Sequence, residues 1–252
     1  MKIETDVMQI LDQCRVDGSL LFLPNIQLDR KLYVKTNKVL DLMGGKWNRS
    51  KKAHVFTVDH VAELLSQCVE TGEITDIYKE LQFFETPKAV VDQMLEYADI
   101  KLTDTILEPS AGKGAIASAL VGLGCQLTLF EIYLDFAGIL SGKFDCTVVN
   151  KDFLTANPAY AQYDKIVANP PFTKEQDVDH ASKMLDFLKP GGTLVCIMAS
   201  SVMWRTNQKT KLFHMRLEHD TDYEFIELPE NSFKESGTGV NTVMLVAEKG
   251  IY

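Results

Sequence analysis

From Thr105 onward, short runs of β-branched and other apolar residues alternate with stretches of helical period, the pattern of a parallel sheet covered by helices on both faces. Seven runs read as strands: TILE (105–108), LTLFE (127–131), TVVN (147–150), KIVAN (165–169), TLVCIMA (193–199), YEFIEL (223–228) and TVMLVAE (242–248). Helical stretches such as Gly114–Leu123 and Asp177–Leu188 separate the first five, whereas PENSFKESGTG joins the last two with no helical period. So short a link predicts a final strand antiparallel to its neighbour. Upstream, FFETPKAVVDQMLEYADI (83–100) predicts a helix docked on the sheet. Thr86 is its expected N-cap, Pro87 its first residue, and Val90, Val91, Met94, Leu95 and Ala98 its apolar stripe.

The residues before this helix follow a pattern of their own. Segments 6–15, 29–43 and 59–69 read as helices, the second stopped by Gly44-Gly45 and the third near Gly72, and KWNRSKKAHVF reads as a small hairpin between them. The expected fold is α/β: a Rossmann-like seven-stranded sheet with an antiparallel last strand, plus a small N-terminal α+β domain. A boundary near 75–82 gives a basic accessory domain over 1–78 and a main domain over 79–252.

Composition narrows the class. With 46% hydrophobic and 24% charged residues over 252 positions, disordered, collagen-like and disulfide-scaffold chains are excluded. No apolar run is long enough to cross a bilayer, and MKIETDVMQI has acids where a signal peptide carries cations, so a cytoplasmic protein is expected. Five scattered cysteines without CxxC spacing read as core fillers, with neither a metal site nor a disulfide framework.

The net charge of −9 hides two basic stretches. Residues 25–54 carry eight cations against Asp29 and Asp41, a local charge of +6 that leaves −15 for the rest. Within it Lys46, Trp47, Arg49, Lys51 and Lys52 combine a stacking ring with phosphate-seeking cations. Residues 201–216 add Arg205, Lys209, Lys211 and Arg216 with no acid. Nucleic acid is the expected partner, gripped by the two stretches.

Four segments carry candidate chemistry. ILEPSAGKGAIA (106–117) runs from a strand through a glycine turn into a small-residue helix, and Gly112 and Gly114 let the backbone bend and approach a ligand. Glu131, ending the next strand, is placed to accept from two ribose hydroxyls. Asp152 can accept from an exocyclic amine, with the Phe153 ring against a purine. NPPF (169–172) ends the fourth strand. Its two prolines remove two amide donors and stiffen the turn, so the Asn169 side chain and the Pro170 carbonyl offer two acceptors to one amino group, with Phe172 as a stacking face.

In this order, FETP, LEPSAGKGAIA, Glu131, Asp152-Phe153 and NPPF resemble class I S-adenosylmethionine-dependent amino-methyltransferases, in particular adenine-N6 DNA methylases whose cofactor motif precedes the catalytic one. The resemblance spans about residues 83–248. It implies S-adenosyl-L-methionine as cofactor and no metal. Phe84, Thr86 and Pro87 then close over the methionine end of the cofactor, while Glu108, Pro109, Ser110, Ala111, Gly112 and Gly114 form the binding loop. Glu131 with Ile132 meets the ribose, Asp152 and Phe153 meet the adenine, and Asn169, Pro170, Pro171 and Phe172 form the catalytic motif. NSFKESGTGVNTVMLV resembles the ending of such enzymes, with Phe233 as a second wall for the target base. The implied activity is methylation of adenine N6, in DNA rather than RNA. Since no target-recognition domain follows the core, low sequence stringency is expected. The alternatives are a ribosomal RNA base methylase, a methylase of a glutamine amide in protein, and a non-catalytic nucleic-acid-binding or anti-restriction module.

Overall fold

In the computed structural model, which describes residues 2–56, 61–74, 85–158, 162–229, 232–233 and 240–251, two compact units form, Met1–Phe83 and Phe84–Tyr252. The first contains α1 (Thr5–Asp12), β1 (Arg15–Asp17), β2 (Leu20–Phe22), α2 (Arg30–Leu42), β3 (Lys46–Asn48), β4 (Ala53–Val55) and α3 (Val61–Thr71). The strands form one antiparallel sheet in the order β1-β2-β4-β3. Asp29 caps α2 by accepting from the amides of Lys31 and Leu32, at 2.8 and 3.0 Å. Gly44, at φ 92°, ends that helix in the left-handed region, where a side chain would be strained. Apolar faces of all three helices meet on Leu11, Leu21, Leu40, Phe56 and Leu65. The first helix is shorter than its sequence suggests. Arg15 already belongs to β1, because Gly18-Ser19 makes a two-residue turn that pairs Asp17 with Leu20.

The second unit begins with α4 (Lys88–Ala98), followed by β5 (Thr105–Glu108), α5 (Ala115–Val121), β6 (Gln126–Glu131), α6 (Leu134–Lys143), β7 (Thr147–Asn150) and β8 (Tyr163–Ala168). Then come α7 (Gln176–Phe187), β9 (Leu188–Ala199), α8 (Gln208–Asp220), β10 (Thr221–Glu227) and β11 (Thr242–Lys249). All seven strand candidates join one sheet, in the order β10-β11-β9-β8-β5-β6-β7. Its central strands are parallel, and β11 is antiparallel to both β9 and β10.

Both faces of the sheet are covered, which explains the unbroken apolar runs. Ile106, Val167, Val195 and Ile197 face α4 and α5, while their chain neighbours Leu107, Ile166, Leu194 and Cys196 face α7 and α8. The largest boundary shift from the sequence reading in this unit is at β9. β9 starts at Leu188 rather than Thr193, and its pairing with β8 shifts register between Tyr163 and Lys165. Gly192 permits this, since a Cβ there would lie 2.9 Å from the Asp164 carbonyl oxygen.

Parallel strands bring the carboxyl ends of β5, β6, β7, β8 and β9 to one edge of the sheet.

Candidate active site

Glu108 ends β5 at that edge, fully buried. Its Oε2 has no hydrogen-bond partner among the described residues, and neither has the buried Ser110 Oγ in the loop that follows. Burial, then the nearby Glu131 charge, push the Glu108 carboxyl well above the usual carboxylate range. Pro109 and Ala111 are buried, Ser110 and Gly112 half-buried. Gly112 stands at φ 54° and donates its amide to Glu131 Oε2 at 2.7 Å. Glu131 Oε1 accepts from Tyr133 N at 2.7 Å. Burial raises the Glu131 carboxyl too, against the pull of these backbone amides. Asn150 fixes the strand end by donating to the carbonyls of Glu131 and Ile132, at 2.8 and 3.1 Å. The Ile132 side chain beside it is 66% exposed, an apolar surface next to two buried carboxyls.

Gly114 also has a packing role in the loop. At φ 83°, a Cβ there would lie 2.6 Å from Phe144 and 2.8 Å from Leu140, so this glycine lets the end of α6 pack against the loop. The reading of the Phe153 ring is corrected. It is 2% exposed and packs on Phe130, His180 and Phe187 at centroid distances of 5.0–5.9 Å, so the core consumes the face expected to meet a purine. Asp152 stays at the surface side of that turn and accepts from Leu154 N at 2.9 Å. Burial pushes the His180 imidazole down to about 4, against the pull of Asp152 and Asp179.

Asn169 follows β8 directly. Pro170 is buried, Pro171 half-buried, and Phe172 and Phe233 lie in one apolar cluster at 8% and 1% exposure. The two rings are therefore packed away rather than presented as open stacking faces. Thr86 is not the cap of α4. Pro87 holds that position and caps nothing with its side chain, while the Thr86 hydroxyl accepts from Asn169 Nδ2 at 3.0 Å. This contact, across 83 residues, fixes which way the Asn169 amide faces, and the sequence carried no sign of it. Phe84 lies outside the described residues.

After Phe172 the chain is strained. Lys174 and Glu175 both adopt left-handed φ, 55° and 61°. Asp177, fully buried, accepts from Ala199 N at 2.9 Å and so ties the start of α7 to the end of β9. The second basic stretch holds this loop down. Arg205 lies 3.4 Å from Glu175, an ion pair without hydrogen-bond alignment, and Lys209 reaches Asp179 at 2.6 Å. Arg216 grips Asp186 and Asp220 at 2.6 and 3.1 Å. Of these cations only Lys211 is exposed with no ion pair among the described residues, which corrects the reading of 201–216 as an open phosphate-binding patch.

In the first unit the cations fare differently. Lys46 lies 3.5 Å from Asp41 and Lys35 pairs with Glu4, but Arg49, Lys51 and Lys52 are exposed on the β3–β4 turn with no ion pair among the described residues. Trp47 is 46% exposed, tilted against His54 at 5.2 Å. Among the described residues no group of three or more His, Cys, Asp or Glu side chains is placed to hold a metal ion, and no helix is long and apolar enough to cross a membrane.

Known proteins resemble the chain in the same places. The family described as Ribosomal RNA adenine dimethylase matches residues 79–186, and the N-6 DNA Methylase family matches 138–251. The Type II methyltransferase M.HincII of Haemophilus influenzae is 36% identical over 103 residues, covering 40% of this chain and 19% of that protein. The Ribosomal RNA small subunit methyltransferase A of Borrelia garinii subsp. bavariensis is 28% identical over 195 residues, 69% of each chain. The chain thus spans about a fifth of the M.HincII relative and a larger part of the ribosomal one. A Listeria monocytogenes structure assigned to the class I S-adenosylmethionine-dependent methyltransferases superposes with a TM-score of 0.57 at 14% identity, covering 87% of this chain and 73% of that one, a likeness of fold.

Proposed function

We propose that this chain is a class I S-adenosylmethionine-dependent methyltransferase that methylates N6 of adenine in DNA, a reading supported by the adenine-N6 families that match residues 79–186 and 138–251 and by its fold. One observation carries the proposal: Asn169 sits on a stiff double-proline turn at the carboxyl end of β8, its amide held by Thr86, on the same sheet edge as the glycine loop.

The residues at that edge fit the cofactor. Glu108 Oε2 and Ser110 Oγ are buried polar atoms without partners among the described residues, and a positively charged ligand beside Glu108 and Glu131 would offset the desolvation that raises both carboxyls. Glu108, Ser110 and Gly112 would hold its amino-acid end, Glu131 and Ile132 the ribose, and Asp152 the adenine. When bound, S-adenosylmethionine supplies an electrophilic methyl group on a sulfonium. The chain's own work is positioning. With Nδ2 turned to Thr86, Asn169 Oδ1 and the Pro170 carbonyl accept from the target amine, which favours a more tetrahedral nitrogen and aims its lone pair. Alignment of this kind supplies effective molarities near ~10⁵ M or above. Extruding the base from a duplex costs a few kcal/mol. The exposed cations of the β3–β4 turn contact phosphates, adding affinity without reading bases.

The similarity to a ribosomal RNA methylase over 69% of the chain supports a second reading, adenine in ribosomal RNA. Nucleoside mass spectrometry of DNA and RNA from cells with and without the gene separates the two. N6-methyladenine that appears in DNA with the gene supports the proposal, and its appearance only in ribosomal RNA transfers the function to the second reading.

A further inference from the structure

Trp204 is an indole left in water on a turn that is otherwise pinned. It is 62% exposed and Met203 beside it 36%, while Val202, one residue earlier, is fully buried. The backbone of the turn is held from both sides. The amides of Trp204 and Arg205 both donate to the Ser201 carbonyl, at 3.2 and 3.0 Å, and His214 Nε2 holds the Val202 carbonyl at 2.9 Å. On the other side, Arg205 lies 3.4 Å from Glu175, and Asn207 Nδ2 donates to the same Glu175 Oε1 at 2.6 Å. Lys209 adds its 2.6 Å contact to Asp179.

These contacts also give the turn its address. β9 runs parallel to β8, with Cys196 opposite Ala168, so the chain leaves β9 at the sheet edge where Asn169 stands. Glu175, clamped by the residues on the far side of Trp204, comes three positions after Phe172. The indole is thus carried on a pinned turn at the sheet edge where Asn169 stands. Phe172 and Phe233, the rings expected to sandwich the target base, are buried.

We propose that Trp204 is a stacking platform for an unpaired base of the nucleic-acid substrate, at or next to the adenine delivered to Asn169. The inference rests on the proposed nucleic-acid function and deepens it. A large π-face on a preordered turn offers sequence-tolerant stacking, because every base has a face. DNA and RNA bases share this chemistry, so the experiment carries both.

The chain has two tryptophans, so W47F leaves Trp204 as the sole indole. In that background, with S-adenosylhomocysteine present, Trp204 emission is titrated with a single-stranded deoxyoligonucleotide holding one adenine, and with the RNA of the same sequence. Saturable quenching by one or both is expected. W204A in the otherwise native chain raises KM for the quenching strand about five- to 150-fold, with kcat little changed, and W204F recovers most of the loss. Absence of quenching by either strand overturns the inference, as does a W204A enzyme with native KM. Quenching that tracks protein concentration and a faster sedimenting species without nucleic acid also overturns it, assigning Trp204 with exposed Leu212 and Met215 to self-association. Failure of the native chain to methylate any nucleic acid, by contrast, removes the proposed function, and quenching then decides the platform alone.

Discussion

The two edges of the large sheet solve opposite problems. At the amino edge, Asp164 Oδ2 accepts from Thr105 N, Thr105 Oγ1 and Lys189 Nζ at 2.7–2.8 Å, and Lys249 Nζ donates to the carbonyls of Leu185, in the last turn of α7, and Leu188, the first residue of β9, at 2.7 and 2.9 Å. These hydrogen bonds hold the Asp164 carboxyl at about 2 despite its partial burial. At the carboxyl edge, Glu108 Oε2, Ser110 Oγ, Asp177 Oδ1 and His180 Nδ1 are buried without hydrogen-bond partners among the described residues, and Lys174 and Glu175 are strained. A buried polar atom left unpaired costs about 1–3 kcal/mol. One edge is closed by its own hydrogen bonds, and the other keeps buried polar atoms without partners among the described residues.

Four variants sharpen or break this contrast. The largest effect is expected from Asn169→Ala, which lowers the methyl-transfer rate about 10³-fold, roughly 4 kcal/mol, while the thermal midpoint stays within about 2 °C. A fully active Asn169→Ala enzyme would show that Asn169 takes no part in the transfer. The next effect is a pH dependence. Unfolded His180 binds its proton near 6.5 and the folded one only near about 4. Over that window the unfolded state holds the extra proton, so stability falls as pH drops, by about 3 kcal/mol in total. Chemical denaturation at pH 7 and pH 4 should show that loss in the native chain and not in His180→Gln. Equal losses in both would mean the buried imidazole is not the source.

Asp164→Ala works on the other edge. It should cost about 2 kcal/mol of unfolding free energy by stranding three donors, with methyl transfer at 25 °C within about two-fold of native. The penalty shrinks as pH falls from about 4 toward about 2, where the native carboxylate itself protonates. A rate loss comparable to that of Asn169→Ala would erase the distinction between the edges. The smallest effect belongs to Thr86→Val. Freed from its acceptor, the Asn169 amide loses its fixed orientation, and kcat should drop about ten-fold, roughly 1.4 kcal/mol, with recovery in Thr86→Ser. Native kcat in Thr86→Val would leave the hydrogen bond as packing alone.

The strands were legible because both sheet faces are buried and β-branched runs have little other use. The start of β9 was not, since LKPGG reads as a turn until the bulge at Tyr163 and the close approach of Gly192 to Asp164 are known. Asn169 and Glu131 could be placed on the sheet edge from spacing alone. Thr86 could not be linked to Asn169, because local capping rules account for a threonine before a proline equally well. The basic stretch 201–216 misled for the same reason. Its neutralising acids, Glu175, Asp179 and Asp186, come from α7 and the turn before it, outside any window centred on the cations. Trp204 lies beyond Ser200-Ser201, which marks where the apolar strand stops, but no local pattern sets its exposure.

The most direct test is to give purified native chain and Asn169→Ala S-adenosylmethionine carrying a labelled methyl group, with unmodified DNA and unmodified RNA in separate reactions, and to identify the labelled nucleoside after digestion. Label is expected on N6 of adenine in DNA with the native chain and none with Asn169→Ala. Label on cytosine N4, label confined to RNA, or equal labelling by the two proteins would contradict it.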